Sequence, residues 1–322
     1  MIRPSRGARA GARLAAVAAF ALLQACAPAH DARQLFEDLQ NPDLEARQDA
    51  EQKLDSIVRQ GDYQVFLRGL DSPNRLHQAQ SIVFLARMPQ PEARAALRGL
   101  LRVDQRRMLP FNPIKMKPTR GPDSDSRILV AHLIAEGGGD AEALESLTGG
   151  VDDNASTETL TGTCFAVGAL GDPAGVPFLA GLARDARAEV ARAAVQALGR
   201  FRGPEVVAAL QAAAGHDSPQ VRADVLSSLA AIDAAATNDL LRTMASSDPA
   251  SDIREMAIRQ LGSSGDPAVV PFLIDRLRDR DDAARMVARE VLTGLAGRDL
   301  GAGPERWRQW WARDGKRLLA NR

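Results

Sequence analysis

Residues 171–179 read GDPAGVPFL and residues 265–273 read GDPAVVPFL, so one nine-residue phrase occurs twice with a single difference. The copies start 94 residues apart, which is close to three times 31. Self-similarity at a fixed spacing indicates a protein built from repeated supersecondary units. The phrase is therefore either a Gly-Asp-Pro loop that holds a ligand or a turn that the fold needs more than once.

Helical patterns fill the interval between the two copies. A helix that buries one side places apolar residues at positions i, i+4, i+5 and i+8 of a window. Four successive windows match this template, and a weaker match that ends at Leu170 precedes them. The full matches are Val190, Ala194, Val195 and Leu198; Val221, Val225, Leu226 and Leu229; Ile253, Ala257, Ile258 and Leu261; and Val287, Val291, Leu292 and Leu295.

The last position of each window measures the period of the repeat. In chain order these markers are Leu54, Leu85, Leu170, Leu198, Leu229, Leu261 and Leu295. The first two define a period of about 31, and the markers from Leu170 onward follow at intervals of roughly 28 to 34, which is the size of a two-helix repeat. One further unit is predicted around residues 127–135.

Each unit contains two helices separated by a recurrent turn. We expect the first helix to end at Gly171, Gly199 or Gly262, because glycine readily adopts the left-handed conformation that closes a helix. Asp172 and Asp266 are then predicted to cap the second helix, and each is followed by a proline. Proline is favourable there, since the first helical N–H has no partner in any case.

The period, the start DSPQVR at 217–222 and the turn ALGDP at 169–173 resemble HEAT-like repeats, in particular the short form also seen in phycobilin lyases. The resemblance covers residues 35–297. It implies an all-α fold, a right-handed α-solenoid of about eight two-helix repeats. It also implies protein binding on the concave surface as the usual role, and it supplies no catalytic residue.

Residues 102–122, RVDQRRMLPFNPIKMKPTRGP, interrupt the repeats with four prolines. This insertion is either a plain surface loop or a docking loop for an acidic or phospholipid partner. Its candidate partner-binding residues are Arg102, Arg106, Arg107, Lys115, Lys117 and Arg120.

Residues 298–322 are predicted to form a C-terminal cap, in which a helix that contains all three tryptophans of the chain follows the turn-rich stretch 297–304. Trp307, Trp310 and Trp311 are spaced i, i+3 and i+4, so they share one side of a helix. The indoles either close the last repeat or form an exposed aromatic surface that grips a partner, a glycan or the membrane interface.

Residues 1–25 are typical of a secretory signal peptide, with four arginines followed by the apolar run LAAVAAFALLQA at 14–25. The junction from Leu23 to Cys26 resembles the bacterial lipobox, which implies that Cys26 is lipidated and begins the mature chain. Residues 26–34 are then a lipidated linker. Ala27 stands where an aspartate would resemble an inner-membrane retention signal, so the outer membrane facing the periplasm is favoured.

Composition argues against several classes of function. Removing the four arginines of residues 1–25 from 41 basic residues leaves 37 against 41 acidic ones, which gives no electrostatic footprint for nucleic acid. The four histidines are scattered, no metal-ligand or nucleophile motif occurs, and Cys164 has no second cysteine to pair with once Cys26 is lipidated. We therefore expect no metal, no cofactor and no enzymatic activity.

The sequence favours a lipid-anchored scaffold or adaptor of the cell envelope, monomeric apart from another envelope protein that it binds. Two alternatives remain open. The first is a peptidoglycan- or glycan-binding protein that uses the Trp cluster. The second is a HEAT-repeat enzyme of the lyase type, whose polar site would have to be assembled across successive repeats.

Overall fold

The computed structural model describes residues 32–102, 104, 111–112, 117–118, 125–152, 154–232 and 234–316. The described residues form α-helices almost throughout, and they divide into two compact units. The first unit runs to Leu97 and includes residues 109–119 of the insertion. The second unit comprises residues 98–108 and 120 onward.

The first unit contains an aromatic core. Phe36, Phe66 and Phe84 lie with ring centroids 5.2–6.3 Å apart, and the predicted markers Leu54 and Leu85 are fully buried. The helices are α1 (Ala32–Asp38), α2 (Leu44–Gln60), α3 (Tyr63–Leu70), α4 (Arg75–Ala86) and α5 (Pro91–Leu100), whose last turn is assigned to the second unit.

The insertion contains a short β-ladder in its described part. Strand β1 (Phe111–Asn112) pairs antiparallel with strand β2 (Lys117–Pro118), and β1 lies against α4. At residues 111–112 and 117–118 the insertion therefore forms strands and not helix.

The second unit is a stack of helix pairs, as an α-solenoid requires. The first helices of the pairs pack each against the next, from α6 through α8, α10, α12 and α14 to α16. The helices are α6 (Ser126–Glu136), α7 (Ala143–Thr148), α8 (Thr157–Leu170), α9 (Val176–Leu182), α10 (Ala188–Leu198), α11 (Pro204–Ala213), α12 (Pro219–Leu229), α13 (Ala234–Ser247), α14 (Ser251–Ser263), α15 (Val270–Arg276), α16 (Asp282–Ala296) and α17 (Pro304–Trp310).

The predicted apolar stripes form the core of this stack. Every residue of the windows that end at Leu198, Leu229 and Leu261 is buried. The last window is wrong in register, because Val291 and Leu295 are only half-buried. On that helix the fully buried positions are Ala284, Ala288 and Leu292.

Close contacts between neighbouring first helices give the true register. A Cβ built on Gly168 would lie 3.1 Å from Ala197, and the same relation joins Gly199 to Ser228 and Gly262 to Val291. The residue numbers differ by the same amount in all three pairs, so the three glycines occupy equivalent positions. The stripe therefore ends at Val167, Leu198, Leu229, Leu261 and Leu292, and the spacing between these positions is nearly constant. Leu170 and Leu295 were the wrong markers.

The glycines predicted to end the first helices differ in backbone conformation. Gly171 is left-handed at φ +71°, as expected. Gly199 is right-handed at φ −59°, and Gly262 lies inside α14 while Gly265 takes the left-handed position. Gly199 and Gly262 are required for another reason, since a side chain at either position would meet the next first helix.

Gly262→Ala should destabilise the protein by about 1–3 kcal/mol, because its methyl group would overlap the Val291 side chain in a packed interface. Gly294→Ala is the matched control on α16, where no atom lies within 4 Å of the added Cβ. That variant should gain about 0.5–1 kcal/mol of helix stability. Urea unfolding of both measures the difference, and equal effects would contradict the close-packing role.

The repeated phrase is a structural turn. Asp172 and Asp266 accept hydrogen bonds from the backbone N–H groups of Ala174 and Ala268, at 2.9 and 2.8 Å. The following prolines open short 3₁₀ turns (173–175 and 267–269) that lead into α9 and α15. The valine and leucine of each phrase are buried, whereas the phenylalanine is half-buried.

Candidate functional site

A recurrent hydrogen bond fixes the turn that precedes each of several first helices. A side chain on the helix donates to the backbone carbonyl six residues earlier, at 2.6–2.9 Å. The donor and acceptor pairs are Arg47–Asn41, Gln78–Ser72, Arg222–His216, Arg254–Asp248 and Arg285–Asp279.

In the second unit two of these arginines, Arg222 and Arg254, also bridge successive repeats. Arg222 donates to both carboxylate oxygens of Asp248, at 2.8 and 2.9 Å, and both side chains are buried. Arg254 donates to Asp281 at 2.6 Å. The hydrogen bond to Asp248 is the main cause that raises the pKa of Arg222, and a hydrogen bond from Ser251 is the main cause that lowers the pKa of Asp281. These charges are committed to holding repeats together.

His216 occupies the turn position at which two other repeats carry Asp248 and Asp279. Its Nδ1 accepts from the Ser218 N–H at 2.9 Å, in place of a carboxylate oxygen. Because Nδ1 accepts, the ring hydrogen is assigned to Nε2, which then donates to the Asp185 carbonyl at 3.0 Å. The neutral imidazole therefore ties the turn of its own repeat to the preceding one.

Two clefts flank the carboxyl-terminal half of α11 in the second unit. The α11–α13 cleft has a volume of about 510 Å³, and the α9–α11 cleft has a volume of about 360 Å³. Gly215, His216 and Asp217 line both. Ala212 and Ala213, at the end of α11, line the α9–α11 cleft, where their small side chains leave space. This pair of clefts is the candidate binding site of the second unit.

A fully buried ion pair lies at the start of α6, next to the insertion. Arg127 donates to Asp125 through Nε and Nη2 and to the Thr163 hydroxyl at 2.9 Å. Gly162 leaves room for this network, since a Cβ there would overlap the Asp125 carboxylate. Sequence reasoning missed the pair, because an Asp-x-Arg spacing by itself does not indicate burial.

Cys164 is buried and inert. Its side chain is inaccessible, and burial raises the pKa of the thiol to about 12. A thiol held in the neutral form is neither a nucleophile nor a metal ligand. Among the described residues, no group of three or more His, Cys, Asp or Glu side chains is placed to hold a metal ion.

The three tryptophans differ in how far they are buried. Trp307 is fully buried and donates through Nε1 to the Gly301 carbonyl at 2.7 Å, and Trp310 packs edge-on against it. Trp311 is half-buried at the start of a π-helical turn (311–315). Since α17 packs against α15, Trp307 and Trp310 lie inside the end of the stack. The helix begins at Pro304, after the turn-rich residues 297–303, and residues 317–322 lie outside the described part.

The basic insertion is only partly described. Arg102 is exposed and donates to Asp104 at 3.1 Å, and Lys117 lies in β2. The other predicted partner-binding residues, Arg106, Arg107, Lys115 and Arg120, fall outside the described residues. The same holds for Cys26 and the signal segment 1–25, so these predictions stay predictions.

In the part of the chain that the structure describes, no helix combines the length and apolar character needed to cross a membrane.

A match to a known family supports the repeat architecture. The family of HEAT repeats matches residues 144–230, 178–255 and 209–293. No curated protein sequence matches the chain. Two similar solved structures are E. coli YibA, with a TM-score of 0.41 and 13% identity over 92% of this chain and 98% of that one, and human deoxyhypusine hydroxylase in complex with glycerol, with a TM-score of 0.33 and 19% identity over 84% and 97%.

The matched segments join into one continuous region, residues 144–293, and the buried stripes of that region recur at the nearly constant spacing described above. Residues 144–293 of this chain are therefore HEAT repeats.

Proposed function

We propose that this protein is a lipid-anchored scaffold or adaptor of the bacterial cell envelope, which binds another envelope protein through the surface of its repeats. The observation that carries the proposal is the pair of open clefts on a stack of HEAT repeats. Such stacks bury their apolar stripes against neighbouring repeats and leave an extended surface for a partner. The two clefts lie on either side of α11 and span adjacent repeats, which gives room for an extended protein segment.

The ionisable groups support binding more than catalysis. A general acid needs a carboxyl group whose pKa is raised towards neutrality. Among the described carboxylates whose pKa departs from its ordinary value, each is lowered, chiefly by a hydrogen bond; they are Asp185, Asp281, Asp299 and Glu305. The arginine and aspartate side chains that line the repeat junctions hold one another, as described above.

The anchor rests on Cys26 and the apolar run that precedes it. A lipid chain contributes about 0.8 kcal/mol per buried CH₂, and one chain binds a membrane only marginally. The several chains that a lipobox implies give durable anchoring, with residues 26–34 as the tether. The basic residues of the insertion are a second candidate contact, for an acidic partner or a phospholipid surface.

One experiment with two readouts tests the proposal. Cells that carry the tagged full chain, or its Cys26→Ser variant, are cross-linked intact and then fractionated. The unmodified chain should sediment with membranes and recover one envelope protein reproducibly, while Cys26→Ser should move to the soluble fraction. Deletion of residues 104–120 tests the insertion, since a partner recovered equally well without it does not bind there. A Cys26→Ser chain that stays with the membrane would contradict the anchor.

A further inference from the structure

The α11–α13 cleft lies where two helices end. Helix α11 ends at Ala213 and α13 ends at Ser247, and neither has a basic residue in its last turn. The carboxyl end of a helix carries a partial negative charge, which a basic side chain usually offsets. Both helix ends therefore direct negative potential into this cleft without a cation of their own to neutralise it.

The side chains of the cleft add to this potential. Asp217 is exposed at the junction of the two clefts, and its carboxylate forms neither a hydrogen bond nor a salt bridge with a described residue. Arg222 also lines the cleft, but it donates to both oxygens of Asp248 and to the carbonyls of residues 216 and 217. Asp248 is thus the main partner of its charge, with smaller Coulombic contributions from Asp252 and Asp217, and the cleft keeps a net negative character.

The apolar part of the lining suits an aliphatic chain. Ala214, Leu240, Met244 and Pro249 contribute to the wall of the cleft, and Leu240 and Met244 are almost fully buried beneath its surface. Lysine and arginine place their methylene groups along apolar surfaces while the charged head remains at a polar rim. The arrangement of apolar wall and negative rim fits that kind of side chain.

We propose that the α11–α13 cleft binds a lysine or arginine side chain of the partner protein, with Asp217 as the counter-ion. The inference rests on the proposed scaffold function and names the chemistry of its contact. The α9–α11 cleft differs, because the exposed side chain of Arg184 lines it and would repel a second basic side chain of the partner. The partner should therefore place one basic side chain in the α11–α13 cleft. The part of the partner that lies beside Arg184 should be neutral or acidic.

The test uses two peptides that differ in charge alone. The acetylated, amidated peptide Ser-Ala-Arg-Ala-Ser and its citrulline counterpart are titrated into the full chain, and amide NMR shifts of Gly215 and Asp217 report binding. The arginine peptide should bind at least about threefold more tightly, a factor typical of one partly exposed ion pair. Asp217→Asn should remove that preference and leave the citrulline peptide unchanged.

Asp239→Asn is the control, because it removes the same charge from an exposed residue of α13 that lines neither cleft. It should leave the preference intact. Equal affinity for the two peptides, or equal losses in Asp217→Asn and Asp239→Asn, would overturn the cleft assignment. A cross-linked partner whose affinity is unchanged by Asp217→Asn would overturn it too, while leaving the scaffold function in place. Failure to find any partner would contradict the function and leave the peptide result standing.

Discussion

Arg127→Met should lower the free energy of unfolding by about 3–5 kcal/mol, because it removes the guanidinium that balances the Asp125 carboxylate in the interior. Methionine fills much of the same volume, so the loss reports charge and hydrogen bonding more than a cavity. The measurement is urea unfolding followed by circular dichroism. The effect is large because both side chains are inaccessible to water and Arg127 also bonds Thr163.

Two further variants isolate the cause. The double variant Asp125→Asn/Arg127→Met should recover at least half of the lost stability, since neither side chain of this pair is then charged and the asparagine oxygen still accepts from the backbone N–H of residue 127. Arg192→Met breaks the more exposed pair with Asp224 and should cost no more than about 1 kcal/mol. Equal losses in Arg127→Met and Arg192→Met would contradict a special role for the buried pair.

Trp307→Ala should cost about 3–5 kcal/mol, because it empties a fully buried indole site at the end of the stack. It also removes the hydrogen bond to the Gly301 carbonyl and the edge-on contact with Trp310. Thermal unfolding should show a clear fall in melting temperature. This is the expected behaviour of a cap, which shields the last apolar stripe from water.

Trp311→Ala is the matched control, since this indole is only half-buried. It should cost less than half as much stability as Trp307→Ala. Peptidoglycan sedimentation separates the cap from the glycan-binding alternative. Unchanged stability together with lost retention on peptidoglycan in Trp307→Ala would contradict the cap and favour the aromatic surface.

Periodicity was sufficient to predict the architecture, but not its register at both ends. The helix pairs, the Asp-Pro turns and the stripes of α10, α12 and α14 follow from residue type and spacing alone. Leu170 lies three residues after Val167, and Leu295 lies three residues after Leu292, so each wrong marker is about one helical turn beyond the correct one. Both alternatives lie on similar sides of a helix, so the hydrophobic pattern alone does not choose between them. Requiring a nearly constant spacing between repeats would have selected Val167 and Leu292.

The candidate site was harder to predict, because its parts are ordinary residues in particular surroundings. His216 looked like a scattered histidine, and its role depends on which backbone groups meet its ring. The clefts lie beside the ends of α11 and α13, and no sequence motif marks such a position. In the sequence, Asp217 is simply the first residue of a helix start. Its position between two clefts results from the way the repeats stack.

Equilibrium binding between the purified full chain and the envelope protein recovered by cross-linking is the most direct measurement of the central claim. Isothermal titration should give a one-to-one complex whose affinity falls in Asp217→Asn and is retained in Asp239→Asn. An unchanged affinity in Trp311→Ala would show that this half-buried indole does not contact the partner. Purified components that do not bind each other would contradict the scaffold function.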